Sequence, residues 1–472
     1  MKKSKTITGV KWTALSSLVI VVVQTLQIII VSRFLTKEEF GLASLVLVMS
    51  GFAQIFIDFG VSNALISKKE ISKKEIDGLF WLTLIISFIV FVLLNVLAPL
   101  ISKFYGIKEI SNLILILSLS ILFSGVSSLY RSLKQRNLNF NYMAIMDVFG
   151  VVLGLIISSF FAYNGGGAYS LIVAISISSF FISILYLING VSEFGFPRSF
   201  IEKLDLKYYI RFGIFQLGEK FFIYFNSQID LIIIGKTMNA DMVGIYSIAK
   251  QLSMKVSTFF NSIISRITLP ILAKVNRDAD NIKIQYINTV SILTFFLAPV
   301  FGLVIINSEI IIKVLFGEKW FDVIPILNIL CVYMYFRIAG SPVGSLLLVF
   351  NKPHYTFYWN FISFFIFSPL VIYFSLKGLY ILCVFLVVYS ILIKIPEYFL
   401  LVNKVISMNF FSYILNIFTS FMVALFSYLL VKAFDITLFY VSSVLFLILY
   451  VITSVLLNFR VLKFIFQSLR LV

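Results

Sequence analysis

Histidine and cysteine are almost missing from this chain of 472 residues, which has one His (His354) and two Cys (Cys331 and Cys383). Both cysteines lie inside apolar runs and the histidine lies in a short loop, so no disulfide framework, zinc site or Cys/His catalytic pair is supported. Charge is scarce as well, at 12% of residues, against 60% hydrophobic residues and a mean hydropathy of +1.04. That balance excludes a soluble globular protein. No polar stretch is long enough for a separate soluble domain. A nucleotide loop, a metal cluster and a nucleophile–base pair are also missing, so neither an enzyme nor a cofactor is expected, and ATP-driven transport by this chain alone has no support.

What fills the chain is apolar runs separated by short connectors. A helix needs about 20 apolar residues to cross a hydrocarbon core about 30 Å thick. Runs of that kind fall near 12–32, 41–66, 79–102, 111–130, 142–163, 168–190, 210–235, 243–271, 286–306, 324–350, 356–376, 378–402, 410–431 and 437–459. The expected fold is therefore an all-α integral membrane protein of about 14 transmembrane helices. The first run follows Lys2, Lys3, Lys5 and Lys11 as in a secretory signal, but it is about 20 residues long, carries Gln24 and Gln27 and lacks a small-residue cleavage site, so it reads as an uncleaved span. The net charge of +17 comes from Lys and Arg in short loops, above all SKKEISKKEID (67–77) and RSLKQRN (131–137), while NGGG (164–167) has none. Such a bias reports orientation, with both termini cytoplasmic, and does not point to nucleic acid.

The chain also resembles itself. IIIVSRFLTKEEFGLASL (28–45) aligns with LIIIGKTMNADMVGIYSI (231–248), so that Arg33 meets Lys236 and Gly41-Leu42 meets Gly244-Ile245. This suggests two six-helix lobes, 1–204 and 205–405, followed by two further helices and a short cytoplasmic tail in 406–472. An even number of spans separates the lobes, so the repeats would be parallel, with a central cavity between them.

Charged residues sit deep in the apolar runs, where each costs a few kcal/mol or more and is rarely left facing lipid. The first span carries Thr13, Ser16, Ser17, Gln24 and Gln27 within about 100° of a helical wheel, and the seventh carries Gln216, Glu219, Lys220, Ser227 and Asp230 likewise. The second span adds Gln54, Asp58 and Ser62, and the eighth adds Gln251, Lys255, Ser262 and Arg266. An aqueous cavity is the economical explanation of four polar faces. Lys255 and Arg337 lie about 18 Å into their spans at about 1.5 Å per residue. Lys220, Lys250, Lys255 and Arg337 are the candidate anion-binding residues, since lysine and arginine suit a phosphate or pyrophosphate. Asp58, Glu219 and Asp230 are candidate ion-coupling or cavity acids, and Gln24, Gln27, Gln54, Gln216 and Gln251 a polar lining. Lys394 and Glu397, at i,i+3, read as a structural pair. Asp147, near a span end, reads equally as a structural pairing partner or as a snorkelling or capping group. Gly244, Gly340 and Gly344 are hinge candidates.

Several segments resemble a known family: LYRSLKQRNLNFN (129–141), GGGAYSLI (165–172), DLIIIGKTMNADMVGIYSIAKQL (230–252) and FGEKWFDVIPILNIL (316–330). They are similar to the polysaccharide-transporter branch of the multidrug/oligosaccharidyl-lipid/polysaccharide exporter superfamily, nearest to Wzx-type flippases of the colanic acid and teichuronic acid exporter group. In IDFGVSNALI (57–66), Asp58 and Gly60 match the family pattern. The resemblance implies translocation of an undecaprenyl-pyrophosphate-linked oligosaccharide across the bacterial inner membrane by alternating access, with H+ or Na+ as coupling ion, membrane lipids around it and polysaccharide polymerase machinery as a partner. The first alternative is a drug/cation antiporter of the same superfamily, which would need an acidic, largely apolar cavity. The second is an integral-membrane polymerase or ligase, disfavoured by short outside loops.

Overall fold

In the computed structural model the described residues, which are 2–57, 65, 68, 71–198, 206–274, 279–434 and 438–457, form helices joined by short connectors, with no strand among them. Fourteen long elements follow one another: α1 (Lys2–Phe34), α2 (Lys37–Ile57), α3 (Lys73–Tyr105), α4 (Glu109–Arg136), α5 (Phe140–Tyr163), α6 (Tyr169–Phe194), α7 (Leu206–Thr237), α8 (Ala240–Lys274), α9 (Ala279–Ile306), α10 (Val323–Val349), α11 (His354–Ser375), α12 (Leu379–Val402), α13 (Phe410–Ala433) and α14 (Phe439–Leu457). Twelve of them are long and apolar enough to cross a membrane. The other two, α7 and α8, are 32 and 35 residues long and carry most of the charges singled out above.

Exposed side chains explain why the solvent must be lipid. Along α3, Phe88, Leu93, Val96 and Leu100 all point outward, and the same holds for Ile156 and Phe160 on α5. Such a surface would aggregate in water, whereas in a bilayer it costs nothing and each helix satisfies its own backbone.

The helices begin and end on local signals. Thr36 and Glu39 form a reciprocal cap on α2: the Thr36 backbone N–H donates to Glu39 Oε2 at 2.8 Å, and the Glu39 N–H donates to Thr36 Oγ1 at 3.2 Å. Ser72 and Glu75 do the same for α3, which ends on Gly106 in the left-handed region at φ 75°. The helix α10 is broken at Gly340 and Ser341, where Pro342 opens its second segment. In α12, Lys394–Glu397 leads into a π-helical turn over Tyr398–Val402.

By packing, the chain divides into two units: residues 1–244 with 363–369, and residues 245–362 with 370–472. In the first, α4 packs against α3 and α6, and α1 against α5. The hydroxyls of Ser176 and Ser183 on α6 donate to the Ile116 and Phe123 carbonyls of α4 at 2.8 and 2.6 Å. Each pair is 60 residues apart, so α4 and α6 run parallel and in register, two turns between bonds. In the second unit α13 and α14 dock on α9, where Ser291 donates to Asn416 at 2.6 Å and Tyr450 to the Phe295 carbonyl at 2.8 Å. Polar side chains thus join helices in the absence of a hydrophobic driving force between them.

One contact in the first unit bears on the internal repeat. A Cβ built on Gly41 of α2 would fall on the Ala240 carbonyl oxygen, and one built on Gly244 of α8 would fall on the Lys37 carbonyl oxygen. In the repeat alignment Lys37 corresponds to Ala240 and Gly41 to Gly244, so the contact is reciprocal. Asn239 opens α8, accepting from the Met242 N–H at 3.1 Å, and corresponds to Thr36 at the start of α2.

Candidate functional site

A polar cavity of about 400 Å³ lies in the first unit, among helices that are otherwise apolar. Its walls are Gln54 of α2, Ser124, Ser127, Ser128, Arg131, Ser132 and Gln135 of α4, Ser179, Ile182 and Ser183 of α6, and Lys220 of α7. The α4 residues share a face because 124, 128, 131 and 135 advance by three and four, one helical turn at a time. Arg131 holds Asp147 of α5 in a bidentate pair, Nη1 to Oδ1 at 2.6 Å and Nη2 to Oδ2 at 2.9 Å. Below it Lys134, buried, pairs with Glu193 and lies 4.9 Å from the Tyr142 ring centroid. Arg136 donates to the Leu65 carbonyl at 2.5 Å.

Sequence reasoning brought two residues of this cavity forward, Lys220 and Gln54, and missed the rest. The expected fourth span stopped at 130, which left Arg131 in a loop, whereas α4 continues to Arg136. Of the two roles open to Asp147, pairing is the one observed, with Arg131 as the partner. The signal was present as the three-and-four spacing from Ser124 to Gln135.

The other candidates lie elsewhere. Glu219 and Gln24 are half-buried, and Gln27 joins α1 to α5, its Nε2 donating to Ser158 Oγ at 3.0 Å and to the Gly154 carbonyl at 3.3 Å. Asp230 is buried, and its Oδ1 accepts from the Leu231 N–H at 2.8 Å. In the second unit, Lys250 is buried with Nζ 5.8 Å from the Tyr246 centroid, and Gln251 and Lys255 are half-buried. Arg337 donates to Tyr333 Oη at 3.4 Å from the last turn before the break in α10, where a helix C-terminus favours a cation. Asp58 and the side chains of Gln216 and Arg266 lie outside the described residues.

A second polar cluster is closed to water. Lys394 and Glu397 of α12, both buried, pair at 2.7 Å, and Tyr413 Oη donates to Glu397 Oε1 at 3.1 Å. Gly340 lies directly against this pair, since a Cβ there would meet Lys394 Nζ and Glu397 Oε1. Gly344, by contrast, has open space beside it. Among the described residues no group of three His, Cys, Asp or Glu is placed to hold a metal ion.

The pattern of one sequence family, described as polysaccharide biosynthesis protein, matches residues 30–325. The chain belongs to that family. Curated relatives agree with the assignment. The chain is 26% identical to the lipopolysaccharide biosynthesis protein WzxC of Escherichia coli (strain K12), over 90% of this chain and 86% of that one. It is 29% identical to the teichuronic acid biosynthesis protein TuaB of Bacillus subtilis (strain 168), over 75% and 73% respectively. Among solved structures it resembles an inward closed conformation of the lipid II flippase MurJ, with a TM-score of 0.77 at 15% identity, over 95% of this chain and 98% of that one. The likeness to MurJ is one of fold.

Proposed function

We propose that this multi-pass membrane protein is a flippase that carries an undecaprenyl-pyrophosphate-linked oligosaccharide repeat unit across the bacterial cytoplasmic membrane for surface polysaccharide assembly. The observation that carries the reading is the polar cavity lined by Arg131, Lys220, Gln54 and six serines, sunk among helices whose outer faces suit only lipid. A cargo with a hydrophilic head and a lipid tail needs such a polar lining in an apolar body. Membership of a polysaccharide biosynthesis family and the names of the relatives support the same reading.

Alternating access belongs to the proposal, with residues 1–204 and 205–405 as the two lobes. The reciprocal contact of Gly41 and Gly244 supports that division, because a two-fold axis relating the repeats brings equivalent residues onto each other. Lys250, Lys255 and Arg337 are assigned to the pyrophosphate, and H+ or Na+ to the driving gradient. Both termini are placed in the cytoplasm, and the delivered lipid is handed to polymerase machinery on the other side.

Deleting the gene and analysing the lipid-linked sugars of the inner leaflet tests the function. An undecaprenyl-linked glycan is expected to accumulate on the cytoplasmic face. If no polyprenyl-linked sugar accumulates, or if the reconstituted protein moves only cationic dyes, the flippase reading is wrong.

A further inference from the structure

We infer that the cavity of α2, α4, α6 and α7 receives the hydroxyl groups of the glycan and not the pyrophosphate, an assignment that rests on the flippase reading above. A pyrophosphate offers hydrogen-bond acceptors alone, so its site must supply donors: arginine, lysine, or free backbone N–H groups. This cavity has donors in Lys220, Gln54 and Gln135 but sets acceptors among them. Its walls are helical interiors, whose backbone N–H groups are used in their own helices. Four of the six serines are turned the wrong way for an anion. Ser124 donates its hydroxyl hydrogen to the Ser120 carbonyl at 2.8 Å, Ser127 to the Ser124 carbonyl at 3.1 Å, Ser132 to the Ser128 carbonyl at 2.8 Å and Ser183 to the Phe123 carbonyl at 2.6 Å. A serine that has given its hydrogen to the backbone keeps only lone pairs for a ligand.

The strongest cation of the cavity is also spoken for. Arg131 directs two guanidinium N–H groups at Asp147, which largely cancels its field toward a further anion. Beside that pair the walls carry four hydroxyls that offer acceptors, the hydroxyls of Ser128 and Ser179, the mixed donor and acceptor amides of Gln54 and Gln135, Lys220 and one apolar side chain, Ile182. That set suits a polyol, whose O–H groups are donors and whose ring C–H faces are apolar. At about 400 Å³ the cavity falls within the roughly 300–1,000 Å³ of small-ligand sites.

The test uses the full chain in lipid nanodiscs with two probes: the lipid-linked intermediate isolated from the deletion strain, and bare undecaprenyl pyrophosphate. The variant S124A/S127A removes two acceptors whose own bonds lie within one helix, so helix packing is untouched. It is expected to weaken the glycan-bearing lipid about tenfold, from the modest net worth of two hydrogen bonds, and to leave bare undecaprenyl pyrophosphate within about twofold of wild type. Equal loss for both lipids, or no loss for the glycan-bearing one, overturns the assignment. Asp147→Asn removes the counter-charge that Arg131 faces and is expected to strengthen binding of inorganic pyrophosphate; no gain overturns the argument that Asp147 silences that cation. Should wild-type protein bind neither lipid, the flippase reading itself falls, an outcome distinct from failure of the cavity assignment.

Discussion

The reciprocal glycine packing between α2 and α8 allows a quantitative prediction. With Cβ built on Gly41, the Ala240 carbonyl carbon and the Gly244 nitrogen both lie at 2.9 Å, and the Ala240 oxygen lies closer still. Non-bonded heavy atoms need about 3.5–4.0 Å, so alanine at 41 requires the helices to part by more than about half an ångström. All the obstructing atoms are backbone, so no side chain swings aside to make room. Overpacking of this kind costs about 1–3 kcal/mol. Gly41→Ala and Gly244→Ala are each expected to destabilise the protein by roughly that amount. The double variant is expected to cost about as much as one alone, because a single separation of α2 from α8 relieves both clashes and neighbouring sites are not additive. Thermal unfolding of purified protein in detergent, with retention of monodisperse elution as the readout, measures all three. Wild-type stability in both single variants, or additive losses in the double, would refute the reciprocal packing.

Three further outcomes follow from the other clusters. Glu397→Gln leaves Lys394 buried without its counter-charge and is expected to destabilise by about 3–5 kcal/mol, whereas K394M/E397L is expected to recover most of that loss; unfolding midpoints decide, and a double variant as unstable as the single contradicts the pairing. Gly340→Ala drives a methyl into the same ion pair and is expected to lower the midpoint, by an amount that shrinks in the K394M/E397L background. K255M and R337M are expected to abolish accumulation of surface polysaccharide in a complementation assay while inserting at wild-type levels, and full complementation by both would remove these residues from the pyrophosphate site.

What could be read from the sequence, and what could not, follows from the length rule used to read it. Counting about 20 residues per crossing recovers the twelve helices long and apolar enough to cross a membrane, because hydropathy reports the hydrocarbon layer directly, and also marks the charged runs of α7 and α8, which lie outside that set. The same rule cuts helices at the edge of that layer. At 28 residues α4 spans about 42 Å, at 1.5 Å per residue, and overruns it. Arg131, Lys134 and Arg136 therefore looked like a loop that reports orientation, although all three are helical and engaged with Asp147, Glu193 and the Leu65 carbonyl. The serines were missed for a different reason. A serine in a membrane helix is ordinarily a small packing residue whose hydroxyl returns to its own backbone, and Ser118, Ser120 and Ser158 do only that or join helices. Composition does not separate those from Ser124, Ser127 and Ser128. Their membership of one face with Arg131 and Gln135 does, together with the matching Ser179 and Ser183 on a parallel neighbour in register. In a chain this apolar, the charge that marks a site need not lie deepest in the apolar run; here the cavity follows the last turns of α4, past residue 130 where the expected span stopped.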